Sequence, residues 1–454
     1  MGETPEKKDD GAEKLQPEVN IEMEQTATEE ASVPLSSEEP AKKEASSRTK
    51  CRVVGVLGSF MWLSLCGDAP LITEKMDHAV DESKTRARRA FSYLLHFLDI
   101  TGRNFGQICF ANNPISGFLI LAGLAVGNLT VAICGLIAST VGILFSLLMK
   151  QPCGSIRAGL CCYNAALFGA VLPALLLGPS PVAEEVEVYI AVLIGSVFTV
   201  MITVSVANSL SSLKPAIPLF TLPFNLVALF AILVLRVHQP LQLPARVPAP
   251  EFDWTHRFFG GGSTSSGAGA DTATHLTQLV EGSFLGAGQV FAVQDLYCSG
   301  LVLFGLLICS PVLAVAGFFG SVVGTFLGAA VNPNLWNDAY AGVLGYNAFL
   351  ASCAVCFFYV PTWRSALVAL LNAALTLFVQ VALGWAFADS GLPVLTLPFV
   401  AASLIVLGMT AEQQALPRSE APLTFPEQHR AKWLQEARRD SIESTDTNTH
   451  PTHP

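Results

Sequence analysis

The chain has 454 residues, of which 51% are hydrophobic and only 14% are charged, with a formal net charge of −10. Soluble globular proteins normally carry about 25% charged residues, and so apolar a chain could face water only with large exposed apolar patches. The composition therefore argues against a soluble enzyme, a nucleic-acid binder or a secreted disulfide scaffold. It favours a membrane protein whose main partner is the lipid bilayer.

The first region, residues 1–83, is predicted to be cytoplasmic and largely disordered. Its acidic first fifty residues are rich in Glu, Lys, Ser, Pro and Thr, a composition that buries too little apolar surface to fold. The apolar run Val53–Cys66 is short for a membrane span and is predicted to be interfacial or partly buried. Basic residues then precede the hydrophobic region, which places the N-terminus in the cytoplasm; they are Lys84, Arg86, Arg88 and Arg89.

Apolar segments of spanning length follow in two groups, since a bilayer core of about 30 Å requires about 20 such residues per helix. The first group lies in a predicted first transmembrane repeat, 84–235, and the second in a predicted second repeat, 287–411, with a polar connection at 236–286 and a cytoplasmic C-terminal tail at 412–454. The segments are 108–126, 129–149, 156–178, 187–207 and 217–235, then 287–308, 311–330, 341–360, 363–385 and 393–411.

The two groups repeat each other in sequence. GQI at 106–108 returns as GQV at 288–290, AGLCCYNAAL at 158–167 as AGVLGYNAFL at 341–350, and PLFTLPF at 218–224 as PVLTLPF at 393–399. If each repeat crosses the bilayer an odd number of times, the second is inverted, as in transport folds whose solute path lies at the repeat interface. The sequence therefore predicts an all-α polytopic membrane protein with its pore at a pseudo-twofold axis.

The repeated proline segments carry the most specific chemistry. Two prolines five residues apart break a helix, and a break at membrane depth is tolerated where it lines a cavity or is buried in protein. Thr221 and Thr396 lie between these breaks. Each hydroxyl could bond back to its own helix, but the duplicated placement favours two hydroxyls that face each other at the narrowest point and bind a small polar solute.

Aromatic and leucine side chains recur four residues apart, Tyr163 with Leu167 and Tyr346 with Leu350, and therefore share a helix face. Core packing alone would explain a single pair. Repetition of the pair beside an Asn favours a re-entrant helix with a pore-facing side. Gln107 and Phe110 add an amide that both donates and accepts and an aromatic wall, a combination that suits a neutral planar solute.

Ionisable residues and cofactor motifs are sparse. The predicted spans contain no Lys or Arg in their interiors, and intramembrane carboxylates or histidines are what normally mark ion coupling. No nucleotide-binding or nucleophile motif occurs. The pair Cys353-x-x-Cys356 lacks a second pair at metal-ligand spacing, so we expect packed thiols. We therefore predict no enzyme activity, no cofactor and no metal site.

On the basis of these repeated motifs, the sequence resembles the urea transporter family. The resemblance covers residues 84–411 and rests on NPISG at 113–117, the two Gly-x-x-x-Tyr-Asn-x-x-Leu blocks and the two Pro-x-x-Thr-x-Pro-Phe blocks. It implies a plasma-membrane homotrimer with one pore per subunit, each built from two inverted repeats of about five transmembrane helices plus a re-entrant pore helix. It also implies passive transport of urea and close analogues.

The resemblance also implies which residues bind the solute. One site would be framed by Gln107, Phe110, Tyr163 and Leu167, its twofold mate by Gln289, Tyr346 and Leu350, and the constriction by Thr221 and Thr396. Ala292 stands where the first repeat has Phe110, so one site would lack a wall.

Alternative functions remain at this point. One is a water or glycerol channel, since Asn113-Pro114 and Asn332-Pro333 resemble the paired Asn-Pro sequences of water channels, although they occupy unequal places in the two halves. Others are an ion-coupled carrier and a structural membrane protein without flux.

Overall fold

The computed structural model describes residues 67–69, 72, 74, 85–177, 186–211, 213, 217–236, 268–409 and 415–449, with backbone alone for 268–274 and 440–449. The predicted disorder of the first fifty residues and the predicted interfacial segment Val53–Cys66 lie outside these ranges. Residues 237–267 of the predicted connection also lie outside these ranges.

The described residues form two matching sets of helices and a C-terminal helix. The first set is α1 (Arg86–Gln107), α2 (Pro114–Gly127), α3 (Leu129–Leu148), α4 (Cys153–Arg157), α5 (Tyr163–Leu176), α6 (Val186–Ser211) and α7 (Leu222–Arg236). The second set is α8 (Ala268–Gln289), α9 (Leu296–Cys309), α10 (Pro311–Val331), α11 (Trp336–Tyr340), α12 (Tyr346–Phe358), α13 (Trp363–Ala388) and α14 (Leu397–Gly408), with a 3₁₀ turn Pro333–Leu335 before α11. The last helix is α15 (Pro426–Thr449).

Four of the described helices, α3, α6, α10 and α13, are long and apolar enough to cross a bilayer. The other predicted spans correspond to shorter apolar helices of 12 to 15 residues, because the chain breaks inside or beside them. The clearest case is the predicted span 108–126, which begins with a non-helical turn. There Asn113 accepts hydrogen bonds from the backbone of Ile115 and Ser116 at 2.9 and 3.2 Å, and Pro114 occupies the first turn, so that α2 starts afresh.

Asp295 performs the same capping in the second set. Its carboxylate accepts the backbone N–H of Cys298 at 2.7 Å and starts α9. The Asn-Pro pair of the first repeat is thus replaced in sequence while its N-cap role is retained.

The predicted connection 236–286 ends earlier than expected, because α8 begins at Ala268. Leu279 and Leu285 within it are 7% and 5% exposed. Their burial supplies the apolar contact that stabilises this helix, the counterpart of α1.

The two sets share unusual backbone conformations. A positive φ outside glycine is sparsely populated and costs energy, so its recurrence at matching positions indicates the same local fold. The matching non-glycine pairs are Phe110 and Ala292 (65° and 57°) and Phe220 and Leu395 (49° and 48°). Two glycines also match, Gly159 and Gly342 (74° and 77°).

Helices α2 and α9 pack against each other antiparallel through reciprocal contacts. A Cβ on Gly123 would lie 3.0 Å from the carbonyl oxygen of Cys298, and one on Gly305 would lie 2.9 Å from that of Ser116. Gly123 matches Gly305 and Ser116 matches Cys298 in the repeat. Each set therefore offers the same contact surface to the other, with small residues allowing close approach.

The C-terminal segment packs against the second set. The backbone N–H of Val360 donates to Pro417 and that of Ser419 donates to Phe358, both at 2.9 Å. The carboxylate of Glu427 accepts hydrogen bonds at the start of α10 from the hydroxyl of Ser310, at 2.7 Å, and from the N–H of Val312, at 2.9 Å. A carboxylate at a helix N-terminus is favoured by the free N–H groups there. The hydrogen bonds of Glu427 therefore stabilise the packing of the C-terminal segment against α10.

Acidification is expected to loosen the C-terminal segment through His429. This side chain is 4% exposed, and its Nε2 accepts the backbone N–H of Thr424 at 2.9 Å, which requires an unprotonated nitrogen. Burial, followed by the nearby charge of Lys432, lowers the pKa of His429 to about 4. The unfolded segment therefore binds the proton more readily, and docking that is complete above pH 6.5 weakens as the pH falls toward 4.

Hydrogen exchange of residues 415–433 at pH 7 and pH 5, corrected for the intrinsic rates, measures this effect. The wild-type protein should lose protection at pH 5, whereas His429→Gln, which keeps an acceptor that does not titrate, should show equal protection at both pH values. Equal protection of the wild type would contradict the prediction.

Candidate functional site

Both Pro-Thr-Pro segments interrupt the helical backbone where the sequence predicted. Residues 217–221 and 392–396 are not helical, and α7 and α14 begin directly after them. Phe220 and Leu395 hold a left-handed backbone conformation, with φ of 49° and 48°. Strain of this kind in non-glycine residues concentrates at functional sites.

The two threonines meet at the point where the breaks converge. Oγ1 of Thr221 lies 2.6 Å from Oγ1 of Thr396, and both side chains are 2% exposed. Among the hydrogen bonds of the described residues, neither hydroxyl bonds back to its own helix. The structure therefore brings together two residues that are far apart in sequence, and gives them a shared hydrogen bond.

Asn225 joins this pair and was not singled out by the sequence. Its Nδ2 donates to the carbonyl oxygen of Thr221 at 2.8 Å and contacts Oγ1 of Thr396 at 2.9 Å. Its Oδ1 accepts the backbone N–H of Thr396 at 2.9 Å. A signal existed in the alignment of the two repeats, because Asn225 follows LPF in the first and Val400 follows it in the second.

The tyrosines hold the breaks in place with their hydroxyls. The hydroxyl of Tyr163 donates to the carbonyl oxygen of Phe220, and that of Tyr346 donates to Leu395 at 2.5 Å. Asn164 and Asn347 donate to the same two carbonyls at 3.2 and 3.1 Å. These hydrogen bonds satisfy carbonyl groups that the interrupted helices leave free.

Leu167 and Leu350 are fully buried. They lie one helical turn beyond the tyrosines, on the same faces of α5 and α12, and belong to the main apolar cluster. This position matches the predicted shared face.

The two glutamines differ in their hydrogen bonds. Nε2 of Gln289 donates to the carbonyl oxygen of Ala341 at 2.8 Å, whereas the buried Oε1 of Gln107 accepts no hydrogen bond within the described part of the chain. Oδ1 of Asn164 and of Asn347 are likewise buried and unpaired there. An unpaired buried acceptor calls for an explanation such as a bound water or ligand.

Aromatic rings from both repeats surround Phe110. The ring of Phe110 lies 6.1 Å from that of Phe220, 5.4 Å from Phe357 and 6.2 Å from Phe399, measured between centroids. Most of these contacts are edge-to-face, a favourable geometry for aromatic pairs. The matching position in the second repeat is Ala292, so the two sides differ, as the sequence indicated.

The cysteines of the described residues are mostly packed thiols. Nine cysteines there are free thiols, and all except Cys153 are buried. Among the same residues, no three His, Cys, Asp or Glu side chains form a group that could hold a metal ion.

Duplicated helices with apolar exposed faces, and duplicated breaks that meet at buried hydroxyls, are the features of a helical membrane transport protein. The family model described as "Urea transporter" matches residues 98–411. Urea transporter 1 of Rattus norvegicus is 30% identical over 356 residues, which cover 76% of this chain and 86% of that protein. Urea transporter 1 of Capra hircus is 30% identical over 351 residues, which cover 76% of this chain and 85% of that protein.

The chain therefore belongs to the urea transporter family. It is a membrane protein of a transporter family and not an enzyme, as its composition and the absence of catalytic motifs predicted.

Proposed function

We propose that this protein conducts urea and close analogues passively, down their concentration gradient, through a narrow pore at Thr221 and Thr396. The observation that carries the proposal is the pair of hydroxyl oxygens, 2.6 Å apart, at the point where two interrupted helices converge. The solute is taken from the relatives, which are named as urea transporters.

The chemistry of urea suits the polar groups around these breaks. An amide transferred from water without new hydrogen bonds costs about 2–7 kcal/mol. The threonine hydroxyls, together with the unpaired amide oxygens of Gln107, Asn164 and Asn347, offer replacements for the lost water. The remaining predicted binding residues would have three roles. Phe110, Leu167 and Leu350 would supply apolar walls, Tyr163 and Tyr346 would hold the breaks through their hydroxyls, and Gln289 would supply an amide.

The neutral character of the constriction favours a passive mechanism. The side chains that bond to the threonine pair are hydroxyls and the Asn225 amide, and none carries a charge. Coupling to protons or sodium normally uses an ionisable residue in the membrane. Release also requires weak binding, so we expect a flux that saturates only at millimolar urea.

An inverted arrangement of the two repeats is part of the proposal. It is supported by the antiparallel packing of α2 and α9 and by the reciprocal contacts of their matching residues. A twofold axis that exchanges two antiparallel helices is perpendicular to them, which is the geometry of an inverted repeat.

We further propose a homotrimer in the plasma membrane with both termini in the cytoplasm. The exposed arginines Arg86, Arg88 and Arg89 at the start of α1 support a cytoplasmic N-terminus. Large exposed apolar side chains such as Phe198 on α6 and Phe230 on α7 support lipid or subunit contacts on the outer faces. The mass of the protein in detergent, corrected for bound detergent, tests the trimer.

Stopped-flow light scattering on the purified protein in liposomes tests the function. The comparison is between urea, glycerol and water, with and without a pH gradient. Urea-preferring flux that ignores the gradient would support a passive urea channel. Strong water or glycerol permeation without urea flux would contradict the proposed solute, and gradient-dependent flux would contradict the passive mechanism.

The double variant Thr221→Val with Thr396→Val is expected to lower urea permeability by about five- to hundredfold, the effect of losing two neutral hydrogen bonds. Each valine keeps the shape of threonine and removes a hydroxyl, and a neutral hydrogen bond is worth about 0.5–1.5 kcal/mol. The initial rate of urea flux per reconstituted protein measures the effect. The conservative variant Thr221→Ser with Thr396→Ser retains both hydroxyls and should conduct; unchanged flux in the valine variant would contradict the assignment of the constriction.

A further inference from the structure

The amide of Asn225 has one defined orientation, because backbone groups fix both of its ends. Its nitrogen faces the carbonyl oxygen of Thr221 at 2.8 Å, and a carbonyl can only accept. Its oxygen faces the backbone N–H of Thr396 at 2.9 Å, and an N–H can only donate. A flipped amide would place like groups against each other at both ends.

This orientation determines the direction of the hydrogen bond between the threonines. Oγ1 of Thr396 lies 2.9 Å from Nδ2 and 3.2 Å from Oδ1 of Asn225. From standard amide bond lengths, the two atoms subtend only about 40° at that oxygen at these distances.

A hydroxyl oxygen directs its proton and its lone pairs toward separate corners of a tetrahedron. Thr396 therefore accepts the nearer N–H and cannot also direct its own proton at Oδ1. The acceptor that remains is Oγ1 of Thr221, at 2.6 Å, so Thr396 donates and Thr221 accepts.

Thr221 then keeps its own proton. Within the described part of the chain its side chain has Thr396 as its one hydrogen-bond partner, and it stands just before the first residue of α7. The matching position to Asn225 in the second repeat is Val400, which can neither donate nor accept. The direction of the hydrogen bond between the two threonines is therefore determined by the first repeat alone, through Asn225.

We propose that Asn225 is a positioning residue that polarises the threonine pair, so that the constriction presents the hydroxyl proton of Thr221 to the solute. The solute class that this recognises is a small molecule with a strong acceptor oxygen, such as the carbonyl of urea. The inference rests on the proposed urea transport. It adds that two residues equivalent by the repeat have unequal roles, with Thr221 as the donor to the solute and Thr396 as its support.

The first test compares Thr221→Val with Thr396→Val in liposomes, with urea and thiourea as solutes. Sulfur is a weaker acceptor than oxygen, so the urea-to-thiourea permeability ratio reports the donor. We expect Thr221→Val to lower this ratio by about two- to tenfold, the range of one neutral hydrogen bond. Thr396→Val should keep the ratio within twofold of the wild type, because the Thr221 hydroxyl remains. Equal effects of the two variants would overturn the inference.

The second test exchanges the polarity with Asn225→Val and Val400→Asn together. If the amide sets the direction, adding Thr396→Val to this background should now lower the ratio, and adding Thr221→Val should not. Should the exchanged protein fail to fold, Asn225→Leu serves instead, and the difference between the two valine variants should vanish in it. In the exchanged background, a ratio that is still lowered by Thr221→Val and not by Thr396→Val would contradict the role of Asn225. In the Asn225→Leu background, any remaining difference between the two valine variants would contradict it.

Failure of the inference is distinguishable from failure of the proposed function. If wild-type liposomes show no urea flux, urea transport itself is wrong. If they conduct urea while the two valine variants behave alike, transport stands and the polarity is wrong. Thermal unfolding of each purified variant verifies that a changed ratio does not come from a damaged fold, which would lower both permeabilities together.

Discussion

Gly117→Ala is expected to destabilise the folded protein by about 3 kcal/mol or more, at or beyond the upper end of typical overpacking costs. A Cβ on Gly117 would lie 1.6 Å from the backbone carbonyl oxygen of Gly102, and one on Gly102 would lie 2.6 Å from that of Pro114. The obstacle is backbone and not a flexible side chain, so α1 and α2 would have to separate. The thermal unfolding midpoint of the purified protein in detergent measures the loss.

The same substitution at an open site provides the matched control. An added Cβ on Gly384, in α13, meets no atom within 4 Å. Alanine has a higher helix propensity than glycine by about 0.8–1.0 kcal/mol, so Gly384→Ala should leave the midpoint unchanged or raise it. A Gly117→Ala protein as stable as the Gly384→Ala protein would show that α1 and α2 are not packed as closely as described.

Arg103→Leu is expected to cost about 3–5 kcal/mol, the usual effect of removing one partner of a buried ion pair. Arg103 is 4% exposed, and its Nε lies 3.0 Å from the carboxylate of Asp99, which is 5% exposed. Its Nη1 also donates to the carbonyl oxygens of Asp68 and Asn112 at 3.0 and 2.7 Å. The substitution would leave the buried carboxylate of Asp99 unpaired. It would also remove the hydrogen bonds that join α1 to the backbone at Asp68 and at Asn112.

A double variant separates the charge from the other contacts. Adding Asp99→Leu removes the unpaired carboxylate, so Arg103→Leu with Asp99→Leu should recover about half of the lost stability, because apolar replacement of a whole buried pair is often tolerated. The backbone oxygens of Asp68 and Asn112 stay unpaired, which keeps the recovery incomplete. A double variant less stable than Arg103→Leu would show that Asp99 contributes without its partner.

The family and the helical class followed from the sequence because their signals are local. An excess of apolar residues in long segments indicates a membrane protein whatever the tertiary fold, and duplicated strings such as PLFTLPF and PVLTLPF identify a repeat without any contact. The positions of Thr221 and Thr396 between paired prolines also depend only on neighbouring residues. Proline breaks a helix through its own ring and its missing N–H.

Helix bounds were less predictable from composition. Apolar residues continue through the non-helical turn before α2, where a capping side chain and a left-handed Phe110 decide the backbone. Hydropathy averages over such a turn and yields one long span. Buried charge was also hard to predict, because the predicted spans contain no Lys or Arg in their interiors. The helix before the first of them nevertheless buries Arg103 and Asp99, a pair that is tolerated because the two charged groups contact each other.

What the sequence by itself determined is the all-helical membrane class, the two repeats and the residue types at the breaks. What the tertiary structure alone decided is which partners those residues meet: Asn225 with Thr396, Glu427 with the start of α10, and Phe357 with Phe110. These partners lie far apart along the chain, and hydrogen bonds and ring contacts act over a few ångströms. Their selection depends on how the helices pack together, which no local pattern contains.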